Sequence, residues 1–231
     1  MELPTIRPNL LAEILARGTV ESSEGRPLPL HSHLPLLECH LLQRWLTEAR
    51  PRSVLEIGMA YGIASLAICE VLRQDPNRPR FDIIDPFQQR DWQSIGLANM
   101  DRAGFGPLYN FHPLRSEFCL PRFLEQGKQV DFVFIDGWHG FDQVLTEFYY
   151  LNRMMGPGGI LVFDDRQLPA IHRACAFVST LPFYQSLAMP PSFAAQRTVR
   201  VRRLLGQEPH RLQAFKKTGL DQRSPDWFAE F

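Results

Sequence analysis

The chain has 231 residues, 45% of them hydrophobic, and its 25 basic and 25 acidic side chains cancel to a formal net charge of zero. That length and composition suit a globular fold with a full-sized core, and a balanced charge provides no field of one sign to draw nucleic acid or an anionic membrane. Cys39, Cys69, Cys119 and Cys175 are far apart and form no Cys-x-x-Cys pair, so reduced, mostly buried thiols are expected in place of a zinc knuckle or a disulfide framework. No apolar run approaches bilayer length, and Met1-Glu-Leu-Pro-Thr-Ile-Arg-Pro8 lacks an apolar signal core, which is read as a cytoplasmic location with no membrane partner.

Residues 1–50 carry two helical patterns, from about Leu10 to Arg17 and from about Leu36 to Glu48. A polar loop with Gly25, Pro27 and Pro29 separates them, and the segment is read as a helical cap or lid. From Arg52 onward the rhythm changes. Strands are expected near 53–57, 81–85, 131–135 and 159–163, and helices near 62–73, 91–103, 117–126 and 141–154. This alternation predicts an α/β fold, a doubly wound and mostly parallel sheet with helices on both faces, over residues 51–205. Phe183 to Leu187 and Arg197 to Leu204 are read as a final antiparallel pair, turning near Met189, Pro190 and Pro191. Residues 206–231 read as a polar tail, either a loose extension or a lid.

The most informative segment is Ser53-Val-Leu-Glu-Ile-Gly-Met-Ala-Tyr-Gly62, a buried-type strand that turns through glycines into a helix beginning with Ala64, Leu66 and Ala67. Gly58 and Gly62 permit positive φ and close approach of a ligand to the backbone, while the helix start presents free N–H groups. Both properties suit nucleotide binding. The spacing is Glu-x-Gly-x-x-x-Gly, however, and lacks the glycine that a dinucleotide fingerprint would place at Ala60.

Two further strands end in acid. Phe81-Asp-Ile-Ile-Asp85 places a carboxylate 23 residues beyond Gly62, near the distance expected of a ribose-binding acid; the alternative is an Asx turn before Pro86. Val130-Asp-Phe-Val-Phe-Ile-Asp136 and Gly156-Pro-Gly-Gly-Ile-Leu-Val-Phe-Asp164-Asp165 are apolar runs with acidic ends. If their strands are neighbours, three carboxylates converge and need a cation, for which Mg²⁺, Ca²⁺ or Mn²⁺ suit the hard oxygen donors. The alternative has Asp164 and Asp165 capping a helix that begins near Pro169.

With these residues on the page, Glu56-Ile-Gly-Met-Ala-Tyr-Gly62 resembles motif I of the class I S-adenosylmethionine (SAM)-dependent methyltransferases, whose fold is Rossmann-like. Asp85-Pro-Phe-Gln88, Ile135-Asp-Gly-Trp-His139 and Phe163-Asp-Asp165 extend the likeness toward the metal-dependent, catechol-type O-methyltransferases and a similar bacterial group, over roughly residues 30–180. The resemblance implies cofactor contacts from Glu56, Gly58, Ala60, Gly62 and Asp85, with Trp138 and Ser116 near adenine. It implies divalent-metal ligands, for Mg²⁺, at Asp136, Asp164 and Asp165, although the catechol enzymes carry an amide at the position of Asp165. His139 falls where those enzymes place a lysine base.

Methyl transfer from a sulfonium requires in-line positioning of a nucleophile, and a metal or a base such as His139 helps a hydroxyl to ionise. The expected activity is transfer of a methyl group from SAM to a hydroxyl of a small molecule, with Asp136 and His139 as the catalytic pair. Alternatives are a cofactor-binding protein without turnover and an NAD-dependent dehydrogenase; homodimerisation stays open. His31 and His33 form a His-x-His pair with no third soft ligand nearby, and their loop is read as folding over cofactor or substrate in place of binding a metal. Inner members of Phe141, Phe148, Tyr149 and Tyr150 are read as core, and Arg197, Arg200, Arg202 and Arg203 as a solvated strand face.

Overall fold

The computed structural model describes residues 9–190, 193, 204, 211–224, 226–228, 230 and 231. They fall into two compact units, Met1–Cys119 and Leu120–Phe231.

The first unit opens with α1 (Leu10–Arg17), whose Leu10, Leu11 and Ile14 are buried, and which stops at Gly18 in the left-handed conformation. A short hairpin follows, β1 (Thr19–Glu21) against β2 (Pro27–Pro29), with Val20 opposite Leu28. Here the sequence predicted only a polar loop. Two prolines in a three-residue strand hide a hairpin whose edge position leaves them without a donor to lose. Next come α2 (Leu36–Ala49), β3 (Ser53–Ile57), α3 (Ile63–Leu72), β4 (Arg80–Ile84), α4 (Ile95–Arg102) and β5 (Asn110–His112). β3, β4 and β5 are parallel, ordered β5-β4-β3, with Ile57 beside Ile84 and Ile84 beside His112. Every residue of β3 is buried, as are Ile63 to Cys69 of α3, so this strand and helix form the unit's core, against which α2 packs.

α5 (Ser116–Glu125) spans the division between the units. The second unit contains β6 (Phe132–Ile135), α6 (Phe141–Met154), β7 (Ile160–Phe163), α7 (Pro169–Thr180), β8 (Tyr184–Ser186) and β9 (Gln213–Lys217), with strands ordered β6-β7-β9-β8. β6 and β7 are parallel, and β9 is antiparallel to both of its neighbours. The fold class is therefore the expected one, α/β with seven mostly parallel strands, flanking helices and an antiparallel end. The strand that pairs with β8 is β9, inside the segment read as a tail. Of Arg197 to Leu204, expected in that role, all but Leu204 lie outside the described residues, as does the arginine cluster.

Lys217 explains why the chain returns this way. It is 2% exposed, and its Nζ donates to the carbonyls of Asn152 and Met155 at the end of α6, where a cation meets both unpaired carbonyls and the negative pole of the helix. Phe148 is buried against Phe177 and Tyr184, whereas Tyr149 is exposed. All four cysteines are buried and unbridged. No helix among the described residues is long and apolar enough to cross a membrane.

Candidate functional site

The first unit holds the glycine loop. Gly58, Ala60 and Gly62 have φ of 89°, 47° and 79°, so the chain takes the left-handed conformation three times between β3 and α3. Ala60, where the dinucleotide fingerprint would have glycine, adopts that conformation despite its Cβ, a strain that persists only where the surroundings enforce it.

Those surroundings are visible. Asp85, 3% exposed at the end of β4, accepts hydrogen bonds at Oδ2 from the backbone N–H groups of Met59 (3.0 Å) and Ala60 (3.1 Å) and from Gln88 Nε2 (3.0 Å). Its Oδ1 accepts from Phe87 N at 2.7 Å, so the Asx turn considered above is present, together with a second role of clamping the glycine loop. Gln88 Nε2 also donates to Ala60 O (2.7 Å), and Asn99 Nδ2 donates to Tyr61 O (3.0 Å). Gly96, in the first turn of α4, lies so close that a Cβ there would stand 2.5 Å from Ala60 O.

Glu56 is fully buried within β3, and its Oε2 accepts from Ser65 Oγ at 2.6 Å, tying the strand to α3. Ser116 is buried at the start of α5. The His31 loop does fold onto the glycine loop: His31 Nε2 lies 2.9 Å from Tyr61 Oη, and both rings pack with Trp92. Gly96, Asn99 and Trp92 did not stand out in the sequence, and Gln88 did so only within the Asp85-Pro-Phe-Gln88 segment, although a lone glycine in a helical pattern is a recognisable sign of close packing.

The second unit holds the acidic cluster. β6 delivers Asp136 and β7 delivers Asp164 and Asp165 just past the ends of neighbouring parallel strands. His139 Nε2 lies 3.3 Å from Asp165 Oδ2 and 3.9 Å from Asp136 Oδ1. One donor atom from each of Asp136, His139 and Asp165 falls within 4.8 Å of the others. Asp164 is 3% exposed, and its Oδ1 has no hydrogen-bond partner among the described residues. Leu168, and neither aspartate, is the N-cap of α7, which removes the capping alternative. Asp165 has φ 55°, a left-handed backbone that aspartate tolerates better than most residues.

Electrostatics follow from this crowding. Burial and then the charge of Asp136 push the Asp164 carboxyl up to about 8. Asp136 is also raised, by burial first, with the interaction with His139 opposing. His139 is raised above the usual imidazole range, chiefly by its interaction with the Asp136 carboxylate. A further cation, Arg211, comes from the approach to β9, with Nη1 3.3 Å from Asp165 Oδ1 and Nη2 3.4 Å from Asp164 Oδ2. The sequence reading missed it because its position depends on the register of a strand that was assigned elsewhere.

The donor set fits a divalent cation. The ligand atoms lie within 4.8 Å of one another, no farther apart than donors on opposite sides of such an ion at about 4–5 Å, and Asp164 Oδ1 is a buried acceptor with no donor among the described residues. Trp138, three residues past β6, exposes 67% of its surface, an unusual setting for an indole and one suited to stacking on a planar ligand.

In wound α/β folds, ligands of the nucleotide type bind at the carboxyl ends of the strands, the setting of the Asp85-clamped glycine loop. Residues 55–166 match a family described as "Methyltransferase domain", which supports reading the protein as an enzyme of the methyltransferase type. Among solved structures it resembles an O-methyltransferase from Bacillus cereus in complex with SAH, with 17% identity over 91% of this chain and 92% of that one and a TM-score of 0.64. The O-methyltransferase TomG from Streptomyces achromogenes, involved in tomaymycin synthesis and in complex with SAM, is 18% identical over 93% and 92% of the two chains, with a TM-score of 0.64. The SAH-bound Podospora anserina methyltransferase PaMTH1 is 14% identical over 93% and 90%, with a TM-score of 0.66. Among curated proteins no sequence match is found.

Proposed function

We propose that this enzyme transfers the methyl group of SAM to a hydroxyl of a small molecule. The observation that carries the reading is the Asp136–His139–Asp165 centre just past the ends of β6 and β7, within a methyltransferase domain. The glycine loop and Asp85 are assigned to the cofactor, a reading supported by proteins of similar fold that are SAM- or SAH-bound. Gly58 and Gly62 leave the backbone open to close approach, and Asp85 Oδ1, with one donor, keeps capacity for a ribose hydroxyl. Ser116, in the same unit as the glycine loop, is assigned to adenine.

In the reaction, a lone pair on the acceptor oxygen attacks the methyl carbon and the carbon–sulfur bond breaks with its electron pair going to sulfur. The hydroxyl proton passes to His139. Asp136 and Asp165 orient the imidazole and stabilise its charged form, which strengthens it as a base. A divalent cation held by Asp136, Asp164 and Asp165, such as Mg²⁺, would supply Lewis-acid stabilisation of the acceptor oxyanion.

A second reading, metal-independent transfer with His139 as the sole base, is favoured by one observation: Arg211 already compensates two of the three carboxylates. Radiolabelled methyl transfer from SAM to a panel of phenolic acceptors tests both. The metal-assisted reading expects Asp136→Ala to abolish transfer while SAM still binds, and EDTA to abolish transfer by the parent protein. Transfer that survives EDTA but not His139→Ala selects the second reading. Undiminished transfer by both Asp136→Ala and His139→Ala rejects the assignment of this centre.

A further inference from the structure

Arg211 is placed by the register of the sheet. β7 and β9 pair with Ile160 opposite Lys216 and Phe163 opposite Gln213, and the same register carried two residues further sets Asp165 opposite Arg211. A backbone bond still joins the two segments there, one residue out of that register: Arg166 N donates to Arg211 O at 2.9 Å. The residue is therefore anchored by its backbone beside the acidic strand end. Its guanidinium forks, one terminal nitrogen toward Asp165 Oδ1 and the other toward Asp164 Oδ2. Among these donors and acceptors, only Asp164 Oδ1 is both buried and without a partner.

We infer that Arg211 is the built-in counter-ion of the Asp164–Asp165 pair, and that a divalent cation enters this centre only by displacing its guanidinium. Two cations compete for the same two carboxylates. A guanidinium does not lose its proton in proteins, so it cannot make way by neutralising itself as a lysine or histidine would. It must swing out, and the backbone bond to Arg166 leaves the side chain as the part that moves. The consequence is a centre that holds metal weakly, exchanges it readily, and stays electrostatically assembled without it. The inference rests on the reading that these carboxylates accept a cation, and it is independent of whether the enzyme transfers methyl groups.

Mn²⁺ binding to EDTA-stripped protein, followed by electron paramagnetic resonance, provides the test, with Arg211→Gln and Arg211→Lys beside the parent. The expected result is at least tenfold tighter Mn²⁺ binding in Arg211→Gln, lost again on adding Asp165→Asn, with Arg211→Lys between the two. Equal or weaker binding in Arg211→Gln, or none in any of the proteins, overturns the inference. Should Arg211→Gln fail to fold by circular dichroism, the Arg211 Nε–Hε resonance of the parent protein, assigned by its absence in Arg211→Lys, is followed during a Mg²⁺ titration. A change that tracks occupancy supports displacement, whereas Mg²⁺ binding without it, or no Mg²⁺ binding, refutes it.

Discussion

Gly96→Ala sets two principles against each other. Gly96 lies in the first turn of α4, and replacing a helical glycine with alanine ordinarily stabilises by up to about 1 kcal/mol. The added Cβ, however, would sit 2.5 Å from Ala60 O and 2.8 Å from Gln88 Oε1. The first neighbour is backbone of the glycine loop, which Asp85, Gln88 and Asn99 already hold, so it has little room to retreat. Overpacking of this kind costs about 1–3 kcal/mol, which exceeds the helical gain over most of its range. The net expectation is a loss of about 1–2 kcal/mol, or a fall in Tm of roughly 2–8 °C for a chain of this length. Differential scanning calorimetry reads this directly, with Gly156→Ala as the control, since a Cβ there meets nothing within 4 Å. SAM affinity should fall as well, because the displaced atom belongs to the loop assigned to the cofactor. A Tm at or above that of the parent would refute the argument that α4 buttresses the loop.

Ala60→Gly should stabilise by about 0.5–1 kcal/mol in urea denaturation, because relief of the left-handed φ of 47° outweighs the extra entropy of an unfolded glycine; a destabilised variant would mean that Ala60 is not strained. Asp221 is held low, at about 2, by hydrogen bonds from Arg223 and from Asn152. An acid whose folded pKa lies below its unfolded value near 3.9 contributes stability above that value and loses it as pH falls toward 2. Asp221→Asn should therefore flatten the Tm–pH curve between pH 4 and 2, and an unchanged acid limb would count against the pairing. Asp136→Asn should lower the pKa of His139, since the Asp136 carboxylate is the largest factor raising it; an imidazole titration by NMR in EDTA reads the direction, and a rise would contradict the dyad.

The central strands and helices were legible because period and composition agree within each segment: β3 is an unbroken apolar run, α3 continues at helical spacing, and Gly62 marks the junction. Asp85, Asp136, Asp164 and Asp165 were found by one rule, that acids closing apolar strands stand at the carboxyl ends where ligands bind. The features that escaped are those fixed by tertiary pairing. β5 is a three-residue strand, too short for a period to register, and β1 and β2 carry prolines that read as loop. β9 is the decisive case, since Gln213-Ala-Phe-Lys-Lys217 buries a lysine, which no hydrophobic pattern anticipates without the carbonyls of Asn152 and Met155 to receive it. With β9 misplaced, Arg211 could not be set beside Asp164, 47 residues away in sequence. The crowded carboxylates, from which the sequence reading expected a metal, meet a cation of the chain itself in Arg211.

Isothermal titration calorimetry with SAM, SAH and NAD, on the parent protein and on Asp85→Ala, tests the central claim most directly because it requires no knowledge of the acceptor. The account predicts stoichiometric binding of SAM and SAH, at least tenfold weaker in Asp85→Ala, and no comparable heat with NAD. Folded protein that binds neither adenosyl ligand, or that prefers NAD, would contradict it.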